Sequence, residues 1–240
     1  MSKLNDLYRK LKPGSPVTSE QLATLGVSAD LAVHYVRAGW LTRLARGVFA
    51  RPDTPLDLHP TLRQLEHRFS GLHVGGKSAL DWQGVRHQVA QQPRLQLYGW
   101  ASGPLPSWFT THFPSAYHRL RLFDERPQAL LRVSRFQRQA NAPLVSEPER
   151  AVLELLSDVG VRQPLQEARE LLEATPLLRT AVLQELLVKC QQVKTVRLCL
   201  TLGRELGLPW AAKLDPKRLP TGSQQRWVGH SKEGLLVLKA

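Results

Sequence analysis

The sequence predicts an α+β protein, an N-terminal winged helix-turn-helix followed by a mixed α/β C-terminal domain whose second half is helical. Three observations predict it. The first seventy residues hold short amphipathic helices, a glycine-containing turn and an immediate hairpin. The middle holds strand-like runs punctuated by Gly and Pro. From residue 146 the apolar residues recur at helical spacing. The expected division is residues 1–70 as one domain and 71–240 as a second, of which 71–145 is mixed α/β and 146–240 mainly helical with terminal strands.

Each element has a local cause. Leu4, Leu7, Tyr8 and Leu11 fall at i, i+3, i+4, i+7 and predict a helix over 2–11, ended by Pro13 and Gly14. Thr18 followed by Gln21 is a capping-box start for a short helix over 19–25. Gly26 and Val27 turn the chain, and Ser28 caps a third helix over 29–38 by accepting bonds from its free amides. Residues 40–44 and 48–51 read as strands joined at Ala45-Arg46-Gly47. A helix over 61–69, a short strand at 72–74 and a helix over 78–82 follow. Strands are expected at 95–98, 108–113, 119–123 and 130–136. Ser146-Glu147-Pro148-Glu149 reads as a capping box opening a helix over 150–159, with further helices at 165–174, 176–189 and 195–206. Trp227-Val228 and Leu235-Leu236-Val237-Leu238 close the chain as strands around a turn at Gly229-His230-Ser231.

Charge narrows the partner class. The 240 residues carry 33 Lys plus Arg against 20 Asp plus Glu, a net +13, so polyanions are the expected partners. Residues 1–69 contribute +4, 70–142 contribute +6 and 143–240 contribute +3. Six arginines, Arg119, Arg121, Arg126, Arg132, Arg135 and Arg138, lie in one stretch of twenty residues. With 42% hydrophobic residues, disorder is excluded as the main description. Two cysteines cannot form a disulfide framework. No stretch is apolar enough for a signal peptide or a membrane span, and the expectation is a cytoplasmic protein without a membrane partner.

A hairpin directly after a recognition helix is a wing, and the pattern points to double-stranded DNA. On the third helix Ser28, Asp30, His34 and Arg37 are expected in the groove, while Arg43, Arg46 and Arg51 of the wing are placed to reach phosphates. Thr18 and Ser19, at the start of the second helix, join the candidate DNA contacts. Arg119, Arg121, Arg132 and Arg135 are a candidate second phosphate-contacting surface. The competing reading is a helical module for protein contact.

Gly71-Leu72-His73-Val74-Gly75-Gly76-Lys77-Ser78 matches the phosphate-loop pattern G-x-x-x-x-G-K-[ST], and Leu122-Phe123-Asp124-Glu125 resembles an acidic strand end that holds Mg²⁺. Context opposes an NTPase: a helix, not a buried strand, precedes Gly71, and a strand falls inside the would-be loop. The eight histidines form no H-x-x-x-H pair, Asp81, Asp124 and Glu125 are too few acids for a two-metal centre, and no G-x-S-x-G elbow occurs. No catalytic residue, metal site or cofactor is expected.

Several strings together resemble the AbiEi family of bacterial type IV antitoxins. They are Gly39-Trp40-Leu41 running into Arg46-Gly47-Val48-Phe49; Val74-Gly75-Gly76-Lys77-Ser78-Ala79-Leu80 with Gly84; Ser146-Glu147-Pro148-Glu149-Arg150-Ala151 with Glu154-Leu155-Leu156; Val193-Lys194-Thr195-Val196-Arg197-Leu198; and Leu208-Pro209-Trp210. The resemblance implies that the glycine-rich string is a strand-to-helix junction. It also implies a transcriptional autorepressor that binds inverted repeats in its own promoter and counters a toxin of nucleotidyltransferase-like fold, without requiring a stable toxin complex. A regulator without a toxin partner is the alternative.

Overall fold

The structure is a computed structural model that describes residues 3–85, 94–126, 128–222, 227–231 and 234–238. Helix α1 (Lys3–Lys10) leads into β1 (Val17–Thr18), α2 (Ser19–Thr24), α3 (Ala29–Arg37), β2 (Thr42–Ala45) and β3 (Val48–Ala50). The three strands form an antiparallel sheet in the order β1-β3-β2. Its helices pack around Leu7, Leu22, Val27, Ala32, Tyr35, Leu41 and Phe49, a cluster separate from the main core. Thr18 caps α2 through the expected box: its Oγ1 accepts from Gln21 N at 3.2 Å, and Gln21 Oε1 accepts from Thr18 N at 2.9 Å. Ser28 Oγ accepts from Leu31 N at the start of α3.

The larger core begins with α4 (Leu58–Glu66), whose Leu62 and Leu65 pack with Leu72, Val74 and Leu97. A five-stranded mixed sheet runs in the order β6-β5-β4-β8-β7, built from β4 (His73–Val74), β5 (Leu95–Gly99), β6 (Ser115–Arg119), β7 (Val133–Arg135) and β8 (Leu144–Ser146). Helix α5 (Gly76–Trp82) follows β4, and α6 (Ser107–His112) joins β5 to β6. Four helices then cover the core: α7 (Pro148–Ser157), α8 (Leu165–Glu173), α9 (Thr180–Val188) and α10 (Val193–Glu205). Strands β9 (Trp227–Ser231) and β10 (Gly234–Leu238) pair antiparallel, so Gly229, His230 and Ser231 are strand residues and not the expected turn.

Four further expectations are corrected. Residues 108–112 of the expected strand 108–113 are helix, because β5 and β6 are parallel and need a crossover, and Trp108 and Phe109 are buried side by side as no half-buried strand would place them. The strand expected at 119–123 ends at Arg119, after which Leu122 and Phe123 are both buried. The strand expected at 130–136 shrinks to three residues because Arg132 and Gln137 flank it with left-handed backbone, φ 54° and 49°. Ser146 does not cap α7: Glu147 takes the N-cap position with no side-chain cap bond, and the Ser146 hydroxyl donates to Glu154 at 2.8 Å.

Candidate nucleic-acid interface

Helix α3 has one buried side and one solvent side. Ala32 and Tyr35 are buried, whereas Asp30, Val33, His34 and Arg37 are exposed at i, i+3, i+4, i+7 and share a stripe. Ser28 is exposed at its amino end. Asp30 in the first turn and Arg37 in the last complement the helix dipole. The stripe thus offers one acid, one imidazole and one guanidinium, the donor and acceptor types that read base edges.

The hairpin turns at Arg46-Gly47, where Gly47 has φ +74°. Arg46 and Arg43 are both exposed. Ser19 is exposed and its amide donates to Gly47 O at 2.9 Å, fixing the wing turn against the start of α2. Two of the expected contacts are otherwise occupied. Thr18 is partly buried and its hydroxyl serves the α2 cap. Arg51 lies over the Tyr8 ring at 4.6 Å, and its Nε donates to Asp53 at 2.9 Å. Trp40, which the sequence reading placed in a strand, is 42% exposed and stacked on Tyr35, with its carbonyl accepting from Tyr8 at 2.7 Å. It borders a shallow groove with Asn5, Tyr8 and Arg9. An isolated tryptophan after a helix-stopping glycine was the available signal.

The second set of arginines divides. Arg119 and Arg121 are exposed, with the Arg121 guanidinium 4.5 Å from the Trp100 ring centre. Arg132 is paired with Glu185, and Arg135 with Glu66 while donating to Ala142 O at 3.2 Å.

Gly71 to Ser78 do not form a phosphate cradle. β4 lies inside the string, and the Gly76 amide donates to Glu154 Oε2 at 3.1 Å. A side chain on Gly75 would meet that same oxygen at 2.2 Å. Lys77 Nζ contacts Glu167 at 2.8 Å, and Ser78 Oγ accepts from Gln96 N at 2.9 Å. The carboxylate occupies the place a phosphate would need.

Glu154 is itself the centre of a buried network. Its Oε1 lies 2.8 Å from His73 Nε2 and accepts from Arg150 Nε at 2.6 Å, and its Oε2 accepts from Gly76 N and Ser146 Oγ. Arg150 reaches on to both oxygens of Glu125, at 2.8 and 2.9 Å, and to Leu131 O. Burial alone would raise the Glu154 pKa, but His73 and Arg150 outweigh it and hold the carboxyl down at about 2. Asp124, the other acid of the expected Mg²⁺ strand end, is exposed outside this network. Among the described residues no group of three or more His, Cys, Asp or Glu could hold a metal ion.

Two family models cover the chain. One described as "Transcriptional regulator, AbiEi antitoxin N-terminal domain" matches residues 1–91, and one described as "Transcriptional regulator, AbiEi antitoxin, Type IV TA system" matches 92–239. The chain belongs to the AbiEi antitoxin family. Among solved structures, the RV2827C protein from Mycobacterium tuberculosis is similar in fold, with TM-score 0.58 and 16% identity over 94% of this chain and 87% of that one. No curated protein matches the sequence. In this AbiEi family member, the strings around Gly75-Gly76 and Ser146 to Glu154 meet in one buried network and serve the architecture. Among the described residues no helix is long and apolar enough to cross a membrane.

Proposed function

We propose that this protein is the antitoxin of a type IV pair and a DNA-binding repressor of its own operon, opposing a toxin of nucleotidyltransferase-like fold. The observation that carries DNA binding is the solvent stripe of α3 beside an arginine-tipped hairpin. Residues 1–70 supply the reading unit, with Ser28, Asp30, His34 and Arg37 in the major groove and Arg43 and Arg46 on flanking phosphates. Residues 71–240 form the antitoxin unit, and Arg119 and Arg121 extend the phosphate contacts. Arg51, Arg132 and Arg135 are left out of the contact set because carboxylates already hold them.

Titration of the upstream region with full-length protein at several salt concentrations tests the reading. Arg46→Ala weakens binding to every sequence and lowers the salt slope by about 1. His34→Ala changes the preferred sequence while keeping the slope. If neither substitution alters binding to the upstream DNA, the assignment is wrong. Coexpression with the neighbouring toxin gene, scored by growth, tests the antitoxin half.

A further inference from the structure

A cleft of about 60 Å³ opens beside β5 and β6, lined in part by Lys77, Gln96, Tyr98, His118, Asp158 and Arg162 and by no residue of the α3 stripe or the wing. That volume suits a few waters or one tetrahedral oxyanion. Its floor is polar. Tyr98 and His118 are buried, with stacked rings whose centres are 4.5 Å apart. The Tyr98 hydroxyl donates to Asp158 Oδ2 at 3.0 Å, and His118 Nδ1 lies 2.7 Å from the same oxygen. His118 Nε2 lies 2.7 Å from Gln96 Oε1. Asp158 is thereby held in place by two buried side chains.

The rim is different. Arg162 is 56% exposed in its side chain and has no carboxylate oxygen within hydrogen-bond distance among the described residues; Asp158 Oδ1 is 3.7 Å away. Its Nη1 instead lies 2.9 Å from His118 Nδ1, a nitrogen already claimed by Asp158. A guanidinium fork fits two oxygens of one anion, and here that fork lacks such a partner. Lys77 brings a second cation from α5; its Nζ pairs with Glu167 at 2.8 Å in a half-exposed pair and leaves that carboxylate when it turns to a phosphate.

We propose that this cleft binds a phosphate group, free or as the terminal group of a nucleotide. Arg162 grips two oxygens, Lys77 takes a third, and the His118–Tyr98 pair forms the floor. A planar carboxylate has only two oxygens to offer, whereas cations from two elements match a tetrahedral anion. The site is not the phosphate loop of the sequence pattern: the Gly76 amide there faces Glu154, and only the Lys77 side chain is shared.

Calorimetric titration of the full-length protein with inorganic phosphate, at fixed low ionic strength, tests the proposal. Histidine ring resonances are followed in parallel. Phosphate shifts the His118 ring signals, and Arg162→Ala weakens binding about tenfold, the loss of one charge-assisted bidentate contact. Lys77→Ala weakens it less, and both variants bind upstream DNA as the parent does, which separates this site from the DNA reading. Adenosine monophosphate binding more tightly than inorganic phosphate identifies a nucleotide as the source; equal or weaker binding identifies free phosphate. Unchanged affinity in Arg162→Ala, or His118 signals that ignore phosphate, overturns the proposal.

Discussion

Glu154→Gln removes one charge and almost no volume, and the structure predicts a large loss of stability. The carboxylate is 1% exposed in its side chain and is met by four partners, two at each oxygen. A glutamine amide has one acceptor oxygen. With its NH₂ toward Gly76 a donor faces a backbone N–H, and with its NH₂ toward Arg150 a donor faces a guanidinium, so neither orientation satisfies the site. The carboxyl pKa is held at about 2 against an ordinary 4.5, a depression worth about 3 kcal/mol. Breaking a buried pair while leaving its partner charged costs about 3–5 kcal/mol, in the same range. Because the folded pKa is depressed, this contribution is present above about pH 4.5 and is lost as pH falls toward 2. Urea unfolding followed by tryptophan fluorescence checks both parts: at pH 7 the variant is about 3 kcal/mol less stable, and the gap to the parent narrows below pH 4.5. A variant within about 1 kcal/mol of the parent at pH 7, or a gap unchanged down to pH 3, would refute the reasoning.

Other substitutions separate structural from contact roles. Thr18→Ala removes the α2 cap acceptor and costs about 1 kcal/mol, read by thermal unfolding. Gly75→Ala places a methyl 2.2 Å from Glu154 Oε2 and 2.5 Å from the Tyr98 ring, and costs about 2 kcal/mol or more by the same measurement. Arg51→Ala lowers the melting temperature of the protein and leaves the salt slope of DNA binding unchanged, because its guanidinium serves Tyr8 and Asp53. Burial raises the Cys190 thiol to about 11 and Cys199 further, so a colorimetric disulfide reagent at pH 8 labels neither in the folded protein and both after unfolding.

What the sequence revealed follows from how local the cause is. The caps at Thr18 and Ser28 are bonds across three residues, and both were legible. The stripe of α3 was legible because helical period alone separates Ala32 and Tyr35 from Asp30, Val33, His34 and Arg37. β1 and β8 were not, since two- and three-residue strands exist only through Phe49, Val48 and the β4 and β7 pairings. Ser146 read as a cap because nothing nearby in sequence showed that Glu154 would be buried facing it. Context in the sequence was enough to set the phosphate-loop reading of the glycine-rich string aside, but not to show what fills it, since that acid lies 78 residues from Gly76.

Charge shows the same dependence on distant partners. A net +13 invites every arginine to be counted toward DNA, yet a guanidinium bonded to a carboxylate must break that pair before it neutralises a phosphate. Arg132 finds its acid 53 residues away and Arg135 finds its own 69 residues away, so no count within the twenty-residue arginine stretch could tell them from Arg119 and Arg121. Arg150 lies deeper still, locked between Glu125 and Glu154. The charge available to a polyanion is therefore set by tertiary pairing. It concentrates the DNA reading on Arg37, Arg43 and Arg46, with Arg119 and Arg121 as its extension, and turns Arg132 and Arg135 toward holding the sheet to α9 and α4.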